Sequence, residues 1–324
     1  MSEIGQDSPR RVGSGRRIVT AGRVRVVLFL FLLFLLLYYP IGMLIVHAVD
    51  DDVDFAVPEA DEIAGGSHTV DMMAALIDRE VNRNRWTAND PFFLPAAALD
   101  NMPSFQQGIV GALARFTFEL TDQLGRTRGS SQTDPDLQDA SGKLQYSGTI
   151  WVWDLETSWT PTTSSEKQYE NARRKLLSYN RRLAAGEAVF ERRGDNLMAT
   201  LDRIALDLGS STAVLDRQIH EHAGDWIDFQ SDDVFYNIKG QVYAYYLLLR
   251  ELRRDFAKTI DEREIGTAWD QMLLSMRNAA VLDPLVVVNG DPAGLFLPNH
   301  LAVQGFYLLR ARTQLREITN VLLK

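Results

Sequence analysis

The stretch FYNIKGQVYAYYLLLRELRRDF, residues 235–256, carries apolar or aromatic side chains at Phe235, Ile238, Val242, Tyr245, Leu249, Leu252 and Phe256. Steps of three and four residues return to one side of an α-helix, so this segment predicts a helix with a buried stripe. The same alternation recurs on both sides of it. Upstream it runs through Leu197, Leu201, Ile204, Leu208, Ser211 and Leu215, with Gly209 interrupting, and through Tyr169, Ala172, Leu176, Tyr179, Leu183, Gly186 and Phe190. Downstream it continues in Ile265, Trp269, Met272, Met276 and Ala279, then after Pro298 in Leu301, Leu308, Leu315, Ile318 and Leu322. Nearer the N-terminus, Ser67 and Thr69 offer caps to a helix with Val70, Met73, Ile77 and Val81 on its apolar face. Pro103-Ser104 opens another, with Phe105, Ile109, Leu113, Phe116, Leu120 and Leu124 aligned. Such seams joined by short connections predict an all-α fold, an antiparallel multi-helix bundle. Gly and Pro punctuate the chain too often for one long coiled coil, and no repeat of fixed period is present.

Two long stretches break the helical pattern. Residues 126–165 are rich in Ser, Thr, Asp and Gly, with a run from Tyr146 to Asp154 that can be extended, and residues 283–298 contain Pro and Gly. Long loops of this kind carry function more often than short turns do.

Before the bundle, residues 26–49 run for 24 positions without a formal charge. As a helix they measure about 36 Å, enough to cross a hydrocarbon core of about 30 Å, with Pro40 inside. Six arginines (Arg10, Arg11, Arg16, Arg17, Arg23 and Arg25) precede the run, and Asp50, Asp51, Asp52 and Asp54 follow it. Basic flanks stay on the cytoplasmic side, so the expected order is a cytoplasmic tail (1–25), a transmembrane helix (26–49), an acidic linker (50–66) and a periplasmic helical domain (67–324). The rival is a cleaved signal peptide with small residues near Val46-His47-Ala48, but its apolar region would be unusually long.

The chain has 324 residues, no cysteine and a net charge of −9. Six arginines against Glu3 and Asp7 leave +4 before residue 26, so the remainder carries −13. An acidic body speaks against nucleic acid as a partner. Absent cysteine excludes disulfides and thiolate chemistry. Phosphate-binding, dinucleotide, zinc-helix and nucleophile-elbow motifs are also missing, so no cofactor and no metal are expected. The polar cluster from His220 to Asp228 contains metal-ligand types, yet His220 and His222 lie about 200° apart on a helix. A helix end with histidines in its last turn, followed by a helix start capped by Ser231, explains them more simply. Trp151, Trp153 and Trp159 are candidates for stacking on glycan rings. Strand alternation would put Trp151 and Trp153 on one face, and the competing reading pins them into the bundle core.

Several stretches taken together, Leu99–Ser104 (LDNMPS), Thr133–Leu137 (TDPDL), Asp232–Tyr236 (DDVFY), Val288–Gly290 and Asn299-His300, resemble an uncharacterised bacterial family, domain of unknown function 2333. The resemblance covers the chain from the anchor onward and implies a Gram-negative inner-membrane protein. It supplies no activity, but it singles out Asp100, Asn101, Asp134, Asp136, Asp232, Asp233, Tyr236, Asn289, Asn299 and His300 as candidate binding residues, each of which can instead be a cap or a loop brace. A bundle can bring Asp232, Asp233, Asn289 and His300 near one another. The expected role is non-enzymatic: an anchored envelope module that binds or scaffolds an envelope protein partner. The alternative is an enzyme or binder acting on peptidoglycan through carboxylates and the loop tryptophans.

Overall fold

The computed structural model describes residues 15–46, 49–98, 101–125, 133–153, 159–222, 229–284, 286–291 and 297–324. Ten α-helices account for most of them, and among the described residues there is no strand, only an isolated antiparallel bridge between Asn289 and Asn299. The helices are α1 (Gly15–Val46), α2 (His68–Asp78), α3 (Asn101–Glu119), α4 (Pro135–Leu144), α5 (Ser165–Ala184), α6 (Gly194–His222), α7 (Phe229–Asp255), α8 (Ala257–Glu262), α9 (Gly266–Ala280) and α10 (His300–Leu322). Single wide turns, Arg79–Arg83 and Leu120–Leu124, extend α2 and α3.

The fold is all-α, as the stripes require. Every stripe residue of α3, α6, α7, α9 and α10 is buried. Helix α6 runs through Gly209 without a break, and the Arg312 guanidinium packs 3.1 Å from where a Cβ would stand. Helix α7 is the central post, packing on α3, α9, α2 and α6, while α10 closes the bundle against α6 and α9. Helices α3 and α7 nearly touch: a Cβ on Gly108 would lie 2.0 Å from the Asn237 carbonyl oxygen, and one on Gly240 would lie 2.0 Å from that of Phe105.

Helix ends follow local chemistry. Ser67 accepts from the Val70 amide, Asp134 from those of Asp136 and Leu137, and Asn299 from that of Ala302, each closing an otherwise open first turn. Two expectations need correcting. Residues 146–153 form turns rather than a strand, because Ile150 and Val152 carbonyls are taken by the amides of Ser165 and Thr162 instead of a neighbouring strand. Helix α7 begins at Phe229, and Ser231 is buried inside its first turn rather than capping it.

Helix α1 contains one stretch, Gly22–Gly42, long and apolar enough to cross a membrane, with none of it buried in the bundle. The acidic segment that follows does not hang free. It lies along α7 with Val53 buried, and Arg250 donates to the carbonyls of Val53 (2.9 Å) and Phe55 (2.6 Å).

Candidate functional site

Helical rotation of about 100° per residue divides α7 into three faces. The apolar stripe is one. Asp232, Tyr236, Lys239, Tyr243 and Arg250 make a second, facing the segment that leaves α1. Asp233, Asn237 and Gln241 make the third, about a third of a turn away from the second.

The second face is a charge-matched brace. Lys239 is fully buried, and its ammonium forms ion pairs with the carboxylates of Asp51 at 2.7 Å and Asp283 at 3.9 Å without a hydrogen bond to either. It also lies 5.8 Å from the Tyr236 ring centre. Burial pushes the Tyr236 phenol up to about 12, with Asp232, Asp283 and Asp51 adding to the shift and a hydrogen bond to Asn101 opposing it. One step along, the Arg79 guanidinium sits between the rings of Phe55 (4.8 Å) and Tyr243 (4.9 Å) and pairs with Glu80 (2.7 Å) and Asp50 (3.6 Å). Tyr243 donates to the Asp52 carbonyl at 2.7 Å. Burial raises the Glu80 pKa, against the pull of Arg79 and Gln106. Asp50, Asp51 and Asp52 thus supply counter-charge and an acceptor to groups that the bundle has removed from water.

The third face lines an open groove of about 830 Å³ between α3, α6, α7 and the segment after α2. Asp233 accepts from the Ser104 hydroxyl at 2.9 Å, and Asn237 donates to the Ser104 carbonyl at 3.3 Å. Gln241 is 4% exposed; its carbonyl oxygen accepts from Ser211 at 2.5 Å, while its amide nitrogen has no partner. Across the groove, Asp90 Oδ1 pairs with Arg85 at 2.5 Å and Oδ2 has no partner. Burial raises the Asp90 pKa, with Arg85 opposing. Gln241 and Asp90, both residues of the groove's lining, thus each carry one buried polar atom without a partner.

A family model described as an uncharacterised protein conserved in bacteria, domain of unknown function 2333, matches residues 14–225 and 217–324. The chain belongs to this family. No curated protein and no solved structure matches it.

The residues that carried the family resemblance fall into four places. Asn101, Asp232 and Tyr236 gather at the brace, and Asp233 turns to the groove. Asp134 and Asp136 stay apart from both. Arg182 grips Asp134 through both nitrogens (2.9 and 2.8 Å) and reaches Asp136 (2.8 Å), which also takes Ser178 and Lys175; these bonds join α4 to α5. Asn289, Asn299 and His300 form a clasp: Asn299 donates to Asn289 (2.9 Å), and His300 Nδ1 accepts from the Val288 amide (2.9 Å). Asn289 donates to the Gln218 carbonyl, and Gln218 donates to Ser231, which ties the clasp to the start of α7 next to Asp232. Asp100 lies outside the described residues, as do Asp225 and Asp228; His220 and His222 stand in the last turn of α6. Trp151 is half-buried and meets Phe93 edge-on at 6.1 Å, while Trp153 and Trp159 are exposed rather than pinned in the core. They do not line the groove.

Lys239, Arg79, Gln241 and Asp90 escaped sequence reasoning. The signal for Lys239 is its register: it stands between Tyr236 and Tyr243 in a stretch, Phe235–Leu249, where apart from tyrosine only Asn237 and Gln241 are also polar, and both lie on another face. Nothing comparable marks Gln241 or Asp90, whose partnerless atoms depend on which helices meet.

Proposed function

We propose that the protein is an inner-membrane module of Gram-negative bacteria, its basic tail cytoplasmic and its bundle periplasmic, that binds an extended segment of another envelope protein in the α3–α6–α7 groove without chemical change. The partnerless pair carries this reading. A buried polar atom without a partner costs about 1–3 kcal/mol, and a ligand that supplies the partner recovers it. A peptide backbone offers both groups needed, a carbonyl for Gln241 Nε2 and an amide hydrogen for Asp90 Oδ2. The six arginines before the apolar run support the orientation.

The test is photocross-linking in intact cells from Val214, which lines the groove, with Leu274 on the exposed surface of α9 as the control. An envelope-protein adduct at Val214 that is absent at Leu274 and lost with Gln241→Ala is the expected result. Equal labelling from both positions sinks the reading. A second reading is favoured by one observation: two carboxylates, Asp90 and Asp233, line the groove, and one has a raised pKa, as a general acid requires. Release of soluble fragments from peptidoglycan by the full chain, lost in both Asp90→Asn and Asp233→Asn, would replace binding by glycan hydrolysis.

A further inference from the structure

The uncharged run that α1 carries continues in sequence past Gly42 to Val49, so Gly42 stands seven residues, or about 10 Å of helix, before its end. Gly42 therefore lies in the outer part of the span, near the side on which α1 leaves the acyl chains. At that level a second piece of chain meets it. Tyr39, one turn earlier, donates from its hydroxyl to the Phe92 carbonyl at 2.8 Å, and Pro95 packs so tightly on Gly42 that an added Cβ would lie 2.3 Å from its ring. The short 3-10 turn Pro95–Ala98 runs along the same face of α1.

Residues 91–98 read PFFLPAAA and contain no charged or polar side chain. Phe92 is 85% exposed and Phe93 48%, although both sit beside a membrane-crossing stretch. Their rings meet edge-on at 5.6 Å, and Phe93 meets Trp151 in turn; Trp153, two residues on in the same turn, is exposed. Part of this segment's backbone is satisfied without water. Pro91 and Pro95 have no amide hydrogen, Leu94 donates to the Pro91 carbonyl (2.9 Å), Ala97 donates to that of Leu94 (3.1 Å), and Tyr39 serves Phe92. Chain in contact with lipid must satisfy its polar groups internally, a need that water would remove. Aromatic side chains favour this depth.

We infer that Pro91–Pro95, together with the Trp151–Trp153 turn, is a foot inserted into the interface of the phospholipid bilayer on the leaflet where α1 emerges. The foot holds the bundle at a fixed tilt on the membrane and gives the groove, whose wall includes Ala97 and Asp90, an opening close to the headgroups. The contact is apolar, so salt does not release it. The inference rests on the proposal that α1 crosses the bilayer, and the experiment separates the two.

The chain has no cysteine, so single cysteines can carry an environment-sensitive fluorophore in the full-length protein. Phe92→Cys, Phe93→Cys and Trp153→Cys report the foot, Leu33→Cys the middle of α1, and Leu274→Cys the aqueous surface. Each is reconstituted in vesicles of phosphatidylethanolamine and phosphatidylglycerol, with or without lipids bearing a nitroxide near the headgroup, for the foot, or at the end of an acyl chain, for Leu33. Quenching by nitroxide lipid at the three foot positions, several-fold above that at Leu274 and unchanged by salt, with shielding from aqueous iodide, is expected. Lipid quenching at Leu33 with iodide-accessible labels at the foot overturns the foot and leaves the anchor standing. An unquenched Leu33 label overturns both. Foot labels shielded by soluble peptidoglycan fragments and not by lipid overturn the inference in favour of glycan stacking.

Discussion

Lys239 and Asp51 show how a residue that reads as solvent-facing becomes a structural determinant. Lys239 has no exposed surface, and Asp51 is the carboxylate nearest its ammonium. Removing one member of a buried pair leaves the other charge uncompensated, so Asp51→Asn is expected to destabilise the full chain by about 3–5 kcal/mol in denaturant titration. Asp54→Asn, whose side chain is exposed, is expected to stay within about 0.5 kcal/mol. Similar small losses for both would mean that Asp51 does not hold Lys239. His300 makes a second prediction at this scale. Burial lowers its pKa from the ordinary 6.5, and its Nδ1 accepts from the Val288 amide, a bond available only to the unprotonated nitrogen. A depressed folded-state pKa means the unfolded chain takes up the proton first. The contribution of His300 is therefore complete above pH 6.5 and is lost as pH falls below it. Hydrogen exchange at the Val288 amide should accelerate over that acidic range beyond the change seen at a reference amide in α9. Protection that is flat with pH would show that the imidazole does not hold the loop.

Elements were legible in the sequence wherever one face is apolar and the other wet. The stripes of α3, α6, α7, α9 and α10 were placed residue by residue because a three-four alternation has one geometric solution. The Tyr146–Asp154 run was not, since alternation over a few residues fits a strand and a turn alike, and only the bonds to Thr162 and Ser165 decide. Glycine was equally ambiguous. Gly209 read as an interruption, whereas Gly108 and Gly240 attracted no notice and prove to set the closest helix contact in the bundle. Adding a methyl group separates these cases. Gly240→Ala places a carbon against the Phe105 carbonyl, which cannot move without α3, and should cost about 1–3 kcal/mol despite the better helix propensity of alanine. Gly142→Ala in α4 meets nothing within 4 Å and should stabilise by about 0.5–1 kcal/mol. Thermal unfolding of the two variants decides, and a stabilised Gly240→Ala would contradict the tight α3–α7 crossing.

At the scale of the whole molecule, the acidic stretch after α1 reads from sequence as a linker, because carboxylates, Pro58 and a Gly pair are what linkers contain. The candidate site was legible to the same limited degree. Asn101, Asp232 and Tyr236 could be singled out, but the buried cation beside Tyr236, and the groove behind them, exist only once α7 is flanked by α3 and by residues 50–55. Composition does not show that Asp50 and Asp51 answer two buried cations on different elements. The domain boundary moves as a result. A fragment beginning at Val49 keeps Asp50, Asp51, Val53 and the carbonyl that Tyr243 uses, whereas one beginning at Ser67 loses all of them, leaving Lys239 without its nearest counter-charge and Arg79 with Glu80 alone. Both fragments should give helix-dominated circular dichroism if they fold, but the shorter should be less stable by about 3–5 kcal/mol, the cost of stranding a buried charge. Replacing the stranded lysine in the shorter fragment, Lys239→Met, should recover part of that loss, because an apolar side chain of similar length needs no partner. In the longer fragment the same substitution breaks an existing pair and should recover nothing. Equal denaturation midpoints for the two fragments, with Lys239→Met acting alike in both, would show that residues 50–66 are a linker after all.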